Sequence, residues 1–240
     1  MTISTNDNLE PLSKVRGMFA DGLTFTRMAL APVISWVILV AWSSTVAGSA
    51  VGGSGLKMDM VVLASFLFGI AAVTDLLDDY VGGSAHSSVR AFGWLDDIAD
   101  SVLILVTLFT LMYVVNRARA LGWSFVIPAG VIIMRDLLIG ILKGFELSTG
   151  GRLESRLGDL KSFLAMLAVL ILVAAPWLTN LVGDVFAPTV ENAEDLLKNY
   201  GAPTPWVWYT GIVILWMSMI LALISAYQIF AASPKPDGPK

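Results

Sequence analysis

The sequence predicts an all-α integral membrane protein with six transmembrane helices and an interfacial amphipathic helix at the N-terminus. Hydrophobic residues make up 56% of the 240 residues and charged residues only 14%, whereas a soluble domain carries about 25% charge. The mean hydropathy of the chain is +0.76. The apolar residues form separate runs, each close to the roughly 20 residues that a helix needs to cross a bilayer.

Six such runs are the predicted spans, at residues 24–46, 58–80, 95–116, 122–143, 160–183 and 206–231. Before them, residues 1–22 are polar and acidic, which is not typical of a cleavable signal peptide. Near-helical spacing of apolar residues in this segment favours a helix lying in the membrane interface over a disordered tail; these residues are Leu9, Leu12, Val15, Met18 and Phe19. The predicted division is therefore an interfacial segment 1–22, a transmembrane domain 23–232 and a tail 233–240.

The loops between the spans set the predicted orientation. Residues 47–57 are a flexible loop rich in Gly and Ser, and residues 190–200 are a candidate short interfacial helix. Lysine and arginine are enriched in cytoplasmic loops, and most of them fall on one side, at Lys14, Arg16, Arg90, Lys143, Arg152, Arg156, Lys161, Lys235 and Lys240. Both termini are thus expected in the cytoplasm, and a bacterial inner (plasma) membrane is the expected location.

Composition also excludes several function classes. The chain has no cysteine, which excludes disulfides, thiolate catalysis and cysteine-type zinc sites. Its net charge of −4 argues against a broadly basic surface for nucleic acid.

Six carboxylates lie between the second and third apolar runs, at Asp75, Asp78, Asp79, Asp96, Asp97 and Asp100. Asp75 lies three residues before Asp78, and Asp96 lies four before Asp100, so each pair shares one helix face. Carboxylates at a membrane edge are costly and mark a candidate functional site. The alternative, that they only cap helix ends, does not explain why two helical pairs converge on one loop. Carboxylate oxygens, with no cysteine and one histidine nearby, favour a hard ion such as Mg²⁺, Mn²⁺ or Ca²⁺ over zinc.

A second polar group lies in the fourth run, which carries adjacent Arg135 and Asp136. Adjacent residues on a helix do not face each other, so each is expected to have another partner; a self-neutralising Arg–Asp pair is the alternative. Lys143, Arg152, Arg156 and Lys161 follow on the same side as the acids. Such a group of cations suits a phosphorylated substrate.

The acid spacing resembles the CDP-alcohol phosphatidyltransferase family, whose motif is Asp-x2-Asp-Gly-x2-Ala-Arg-x8-Gly-x3-Asp-x3-Asp. Its four acids fall on Asp75, Asp78, Asp96 and Asp100. The chain departs from the motif at Asp79 in place of Gly, Gly82 in place of Ala and Gly83 in place of Arg, and the later Gly has moved to Gly93.

Two further matches support this resemblance. Thr24 to Arg27 is similar to the Leu-Thr-x-x-Arg opening of the family's first helix; Arg27 either extends to the headgroups or contacts a phosphate. Arg135-Asp136-x6-Lys143 and Gly158-Asp159-Leu160-Lys161-Ser162 resemble the phosphatidylglycerophosphate synthase branch, with Asp159 reversing a charge.

The resemblance implies transfer of a phosphatidyl group from CDP-diacylglycerol to glycerol 3-phosphate, with release of CMP. It implies two Mg²⁺ or Mn²⁺ ions held by Asp75, Asp78, Asp96 and Asp100, with Asp100 also the general base. The donor would contact Asp78, Asp79, Gly82, Gly83 and Arg90. The acceptor phosphate would contact Arg135, Lys143, Arg152, Arg156 and Lys161. The resemblance also suggests a homodimer.

Two other functions stay open at this point. One is the same chemistry with another acceptor, such as inositol phosphate, serine or a phospholipid. The other is a non-enzymatic relative that binds lipid or metal, or a small ion transporter. Asp79 bears on this choice, because a carboxylate there would bind the cytosine amine, add a metal ligand or mark an altered donor.

Overall fold

The computed structural model describes residues 10–43, 56–82, 94–117, 122–147, 156–186 and 206–231. Within these ranges the chain is all-helical, as predicted, and the last five helices begin and end within a few residues of the predicted runs. The six helices are α1 (Glu10–Ala41), α2 (Met58–Gly82), α3 (Trp94–Arg117), α4 (Trp123–Leu147), α5 (Arg156–Phe186) and α6 (Trp206–Ala231).

Five of these helices are long and apolar enough to cross a membrane. Their apolar segments are Gly17–Ala41, Met58–Asp75, Ile98–Asn116, Leu160–Thr179 and Trp206–Gln228. Large apolar side chains, including Trp36, Phe66 and Met217, are more than half exposed on the outside of the bundle, as expected of a surface that faces lipid. The chain is therefore an integral membrane protein. The side chains of α4 are described only as far as Leu138, so a sixth span stays a prediction.

The first helix differs from its prediction. The sequence divides an interfacial segment from a span near residue 22, but α1 is continuous from Glu10 to Ala41. Helix-weakening Gly22 is tolerated because one interior glycine costs only about 1 kcal/mol. The span was predicted to reach residue 46; the regular helix is described to Ala41, and residues 44–46 lie outside the described part of the chain. The carbonyl of Ala41 accepts a hydrogen bond from the Lys57 amide at 3.1 Å. That bond ties the end of α1 to the start of α2.

Helix α5 joins the two halves of the bundle. In one half α1 packs against α2 and α3, and in the other α6 packs against α4 and α5. Helix α5 also contacts α2 and α3. Its buried Leu172 belongs to the same hydrophobic core as Phe68 of α2 and Leu108 of α3. This packing brings side chains of distant parts of the chain into one interior.

Proline within α4 produces a specific interhelical contact. Pro128 lies inside the helix and has no N–H, so the carbonyl four residues earlier, that of Ser124, loses its helical donor. The indole Nε1 of Trp216 on α6 donates to this carbonyl at 2.7 Å. A main-chain carbonyl that loses its helical donor needs another hydrogen-bond partner. The contact therefore fixes the register of α4 against α6.

Close packing of α5 and α6 requires glycine at position 211. A Cβ atom added to Gly211 would lie 2.9 Å from both Cγ and Cδ2 of Leu172, so the buried Leu172 side chain or one of the two helices must shift. We expect Gly211→Ala to lower the free energy of unfolding by about 1–3 kcal/mol, seen as a lower Tm in detergent. Gly130→Ala is the control, since nothing lies within 4 Å of its added Cβ. Equal Tm values for the two variants would contradict this packing.

Candidate active site

Two of the predicted acids meet at a buried arginine. Arg27 lies on α1, the helix that packs against both α2 and α3, and is completely buried. Its Nη1 atom donates to Oδ1 of Asp75 on α2 at 2.6 Å and also to Oδ1 of Asp100 on α3. Both carboxylates therefore direct an oxygen at the same guanidinium nitrogen, which brings Asp75 and Asp100 together; their role as metal ligands stays a prediction.

The membrane depth of this point follows from the apolar segments. Asp75 is the last residue of the second segment, and Asp100 is the third residue of the segment that begins at Ile98. Consecutive spans run in opposite directions, so the end of one and the start of the next lie at the same membrane boundary. Asp75 and Asp100 therefore lie at the ends of two neighbouring apolar segments.

The other predicted donor-side and metal-ligand residues lie next to this point in the chain. Asp78, Asp79 and Gly82 are in the last turns of α2, and Asp96 is in the first turn of α3, but their side chains lie outside the described part of the chain. Gly83 and Arg90 also lie outside it. Within the described residues no group of three or more His, Cys, Asp or Glu side chains is assembled. The roles of these residues thus stay predictions.

Arg27 does not extend to the headgroups. A side chain that extends to the headgroups would have an exposed guanidinium, whereas the Arg27 side chain is 0% exposed. The physical reason is that two carboxylates on neighbouring helices provide charged hydrogen-bond acceptors, which bind a guanidinium more strongly than neutral ones. The headgroup interpretation of Arg27 is therefore wrong.

A second buried cluster joins α4, α5 and α6. Asp136 on α4 accepts hydrogen bonds from Nζ of Lys161 on α5, at 2.8 Å to Oδ1 and 3.1 Å to Oδ2. It also accepts one from Nη1 of Arg135 at 2.8 Å. Both Asp136 and Lys161 are buried. Charged groups persist in such an interior only when they are paired, so Asp136 compensates part of the positive charge of its two neighbours.

The expectation that Arg135 and Asp136 do not face each other is wrong. Their Cβ atoms diverge on the helix, but the arginine side chain is long enough for its guanidinium to return to the adjacent carboxylate. The expectation that each has another partner is correct, because Asp136 also binds Lys161 and Arg135 also binds Ser225. Lys143 and Arg156 lie in α4 and at the start of α5 without described side chains, and Arg152 lies outside the described residues.

The contribution of α6 was not predicted from the sequence. Nη2 of Arg135 donates to Oγ of Ser225 at 3.0 Å, and Oγ of Ser218 donates to the main-chain carbonyl of Lys161 at 3.0 Å. Both serines are fully buried. One signal could have revealed them, because two hydroxyl residues seven apart in an apolar run share one helix face.

The two described acids supply oxygen atoms of the type that hard cations prefer. Asp75 and Asp100 supply carboxylate oxygens, the ligands that Mg²⁺ and Mn²⁺ prefer, and those oxygens already converge on a positively charged group. In the packing of α1, α2 and α3 the positive charge between the two acids is that of Arg27.

Comparison with known proteins agrees with this architecture. The model of the CDP-alcohol phosphatidyltransferase family matches residues 18–226. The chain is similar to proteins named CDP-diacylglycerol–glycerol-3-phosphate 3-phosphatidyltransferase from Escherichia coli K12, Escherichia coli O157:H7 and Shigella flexneri serotype 5b. In each case the identity is 26% over 173 residues, which is 71% of this chain and 78% of the relative.

Proposed function

Because this chain belongs to the CDP-alcohol phosphatidyltransferase family, we propose that it transfers a phosphatidyl group from CDP-diacylglycerol to glycerol 3-phosphate. Relatives named for that reaction support this acceptor. The convergence of Asp75 and Asp100 at the end of two spans carries the proposal, since the donor has a pyrophosphate headgroup and two acyl chains. Its reacting phosphorus must lie at the same boundary.

Asp100 is the proposed general base. Its carboxylate takes the proton of the acceptor hydroxyl while that oxygen forms a bond to the phosphorus that carries diacylglycerol. The bond from this phosphorus to the bridging oxygen breaks, and CMP leaves with the electron pair. General bases of this kind contribute typically 10²–10⁴-fold in rate.

Asp75, Asp78, Asp96 and Asp100 are the proposed ligands of divalent cations. When bound, such ions would supply positive charge for the pyrophosphate and the departing CMP. Within the chain itself, Arg27 already supplies positive charge between Asp75 and Asp100. Asp79, Gly82, Gly83 and Arg90 are proposed to contact the donor.

The acceptor phosphate is proposed to bind near Asp136. Arg135 and Lys161 carry two positive charges, and Asp136 cancels one of them, so the buried cluster keeps a net positive charge. A phosphorylated alcohol benefits from that charge, whereas serine has no phosphate to place there. Lys143, Arg152 and Arg156 are proposed to add to this site from the neighbouring ends of α4 and α5.

The membrane arrangement is part of the proposal. Helix α4 would be the sixth span, and the residues before position 17 would lie in the interface. The lysine and arginine distribution supports a cytoplasmic site and cytoplasmic termini, in a bacterial inner membrane. A homodimer is also proposed, from the family resemblance alone.

Release of CMP by the purified protein tests this function. The protein in detergent is incubated with CDP-diacylglycerol and either Mg²⁺ or Mn²⁺. Separate reactions contain glycerol 3-phosphate, inositol phosphate, serine or no acceptor. We expect CMP release to depend on glycerol 3-phosphate and to stop when EDTA is added. Release with serine alone would contradict the acceptor assignment, and no release with any acceptor would favour a non-enzymatic relative.

A further inference from the structure

Helix α6 contacts the buried charged cluster at two points of different chemistry. Ser225 accepts a hydrogen bond from the Arg135 guanidinium, and Ser218 donates one to the main-chain carbonyl of Lys161. Both serine side chains are fully buried and lie on the same face of α6. Ser225 therefore contacts a charged side chain, whereas Ser218 contacts only a main-chain carbonyl.

The guanidinium of Arg135 makes two hydrogen bonds within the cluster and has further N–H groups that are not used by them. Nη1 is bound to Asp136 and Nη2 to Ser225, which together use two of its five N–H groups. Its Nε atom is buried and has no hydrogen-bond partner among the described residues. The two contacts fix the plane of the guanidinium, and the remaining donors suit bidentate binding of a phosphate.

Arg135 is also the more accessible of the two cations. Its side chain is 12% exposed, whereas that of Lys161 is 2% exposed and binds both oxygens of Asp136. Of the two cations, Arg135 is therefore the one that an anion can reach more readily.

We propose that Ser225 is a positioning residue for the acceptor, holding the Arg135 guanidinium in the orientation that binds the acceptor phosphate. This inference rests on the proposed function, because it takes the bound anion to be the phosphate of glycerol 3-phosphate. It assigns a role in acceptor selection to α6, which was predicted from the sequence only as a membrane span.

Steady-state kinetics of Ser225→Ala test this role. Loss of one hydrogen bond to a charged group predicts a roughly tenfold rise in KM for glycerol 3-phosphate. The kcat and the KM for CDP-diacylglycerol should stay within about twofold, because the reacting centre at Asp100 is untouched. Ser225→Cys should give an intermediate KM, since a thiol is a weaker acceptor.

Ser218→Ala is the matched control. It removes an equally buried hydroxyl from the same face of the same helix, but its contact is with a carbonyl and not with a cation. We expect a similar loss of Tm in both alanine variants and an unchanged acceptor KM in Ser218→Ala. An equal rise in KM in both would mean that the serines act only through stability, and would overturn the inference.

Binding measured without turnover separates this inference from the proposed function. Glycerol 3-phosphate, and separately inorganic phosphate, are titrated while the Tm is recorded. We expect both to stabilise the wild-type protein and Ser225→Ala to need roughly tenfold more of either. Wild-type stabilisation without CMP release would overturn the proposed function and leave the anion site in place. Identical titrations for the two proteins, or none for the wild type, would overturn the role of Ser225.

Discussion

Asp100→Asn is expected to lower the kcat for CMP release by at least about 100-fold, the lower range for loss of a general base. An amide keeps the size of the carboxylate and can still accept a hydrogen bond from Arg27, but it cannot take the proton of the acceptor hydroxyl. The substitution therefore removes the proposed chemistry while keeping the contact between α1 and α3. Steady-state CMP release measures the effect.

Two controls accompany this variant, one for folding and one for the position of the substituted aspartate. Size-exclusion chromatography and the Tm check that Asp100→Asn remains folded. Asp59→Asn is the matched variant, because Asp59 is an exposed aspartate in the first turn of α2, at the opposite end of that span from Asp75. We expect it to keep its kcat within about twofold of the wild type. Turnover of Asp100→Asn within a few-fold of the wild type would exclude Asp100 as the base.

The helices were predictable from the sequence because a bilayer sets the length of the apolar run that is needed to cross it. An apolar run such as 206–231 must be helical to satisfy its backbone in lipid, and α6 occupies those residues. The start of α1 was less predictable, since Gly22 and the polar residues before it weaken a helix without breaking it. The spacing of apolar residues in this segment predicts a helix, but it does not show whether that helix continues into the following span.

Within the site, the spacing of residues along the chain predicted only some of the side-chain contacts. The others depend on how the helices pack. The pairing of Asp75 with Asp100 could be expected from two helices joined by a short loop. The partner of both is Arg27, which lies 48 residues before Asp75 and 73 before Asp100. No spacing rule reaches across that separation. Likewise, the contact between Arg135 and Ser225 spans 90 residues and depends on how α4 packs against α6.

Arg27→Gln is expected to destabilise the protein strongly in the presence of EDTA. The fully buried guanidinium binds Asp75 and Asp100, and glutamine removes its charge. Two neighbouring carboxylates would then lack the charge of Arg27, at a cost of roughly 3–5 kcal/mol, as when one partner of a buried ion pair is removed. Thermal unfolding in detergent measures the change. Lys57→Gln, which removes an exposed cation at the other boundary, should leave the Tm nearly unchanged.

The same variant tests whether the acids hold a divalent cation. Positive charge between Asp75 and Asp100 can come from Arg27 or from a metal ion, and a ligand stabilises most the protein that binds it most tightly. We therefore expect Mn²⁺ to raise the Tm of Arg27→Gln by more than it raises that of the wild type. Adding Asp75→Asn should remove the extra stabilisation, because it removes one carboxylate oxygen donor of the metal. Equal Mn²⁺ responses in the wild type, Arg27→Gln and the double variant would mean that these acids bind arginine and not metal.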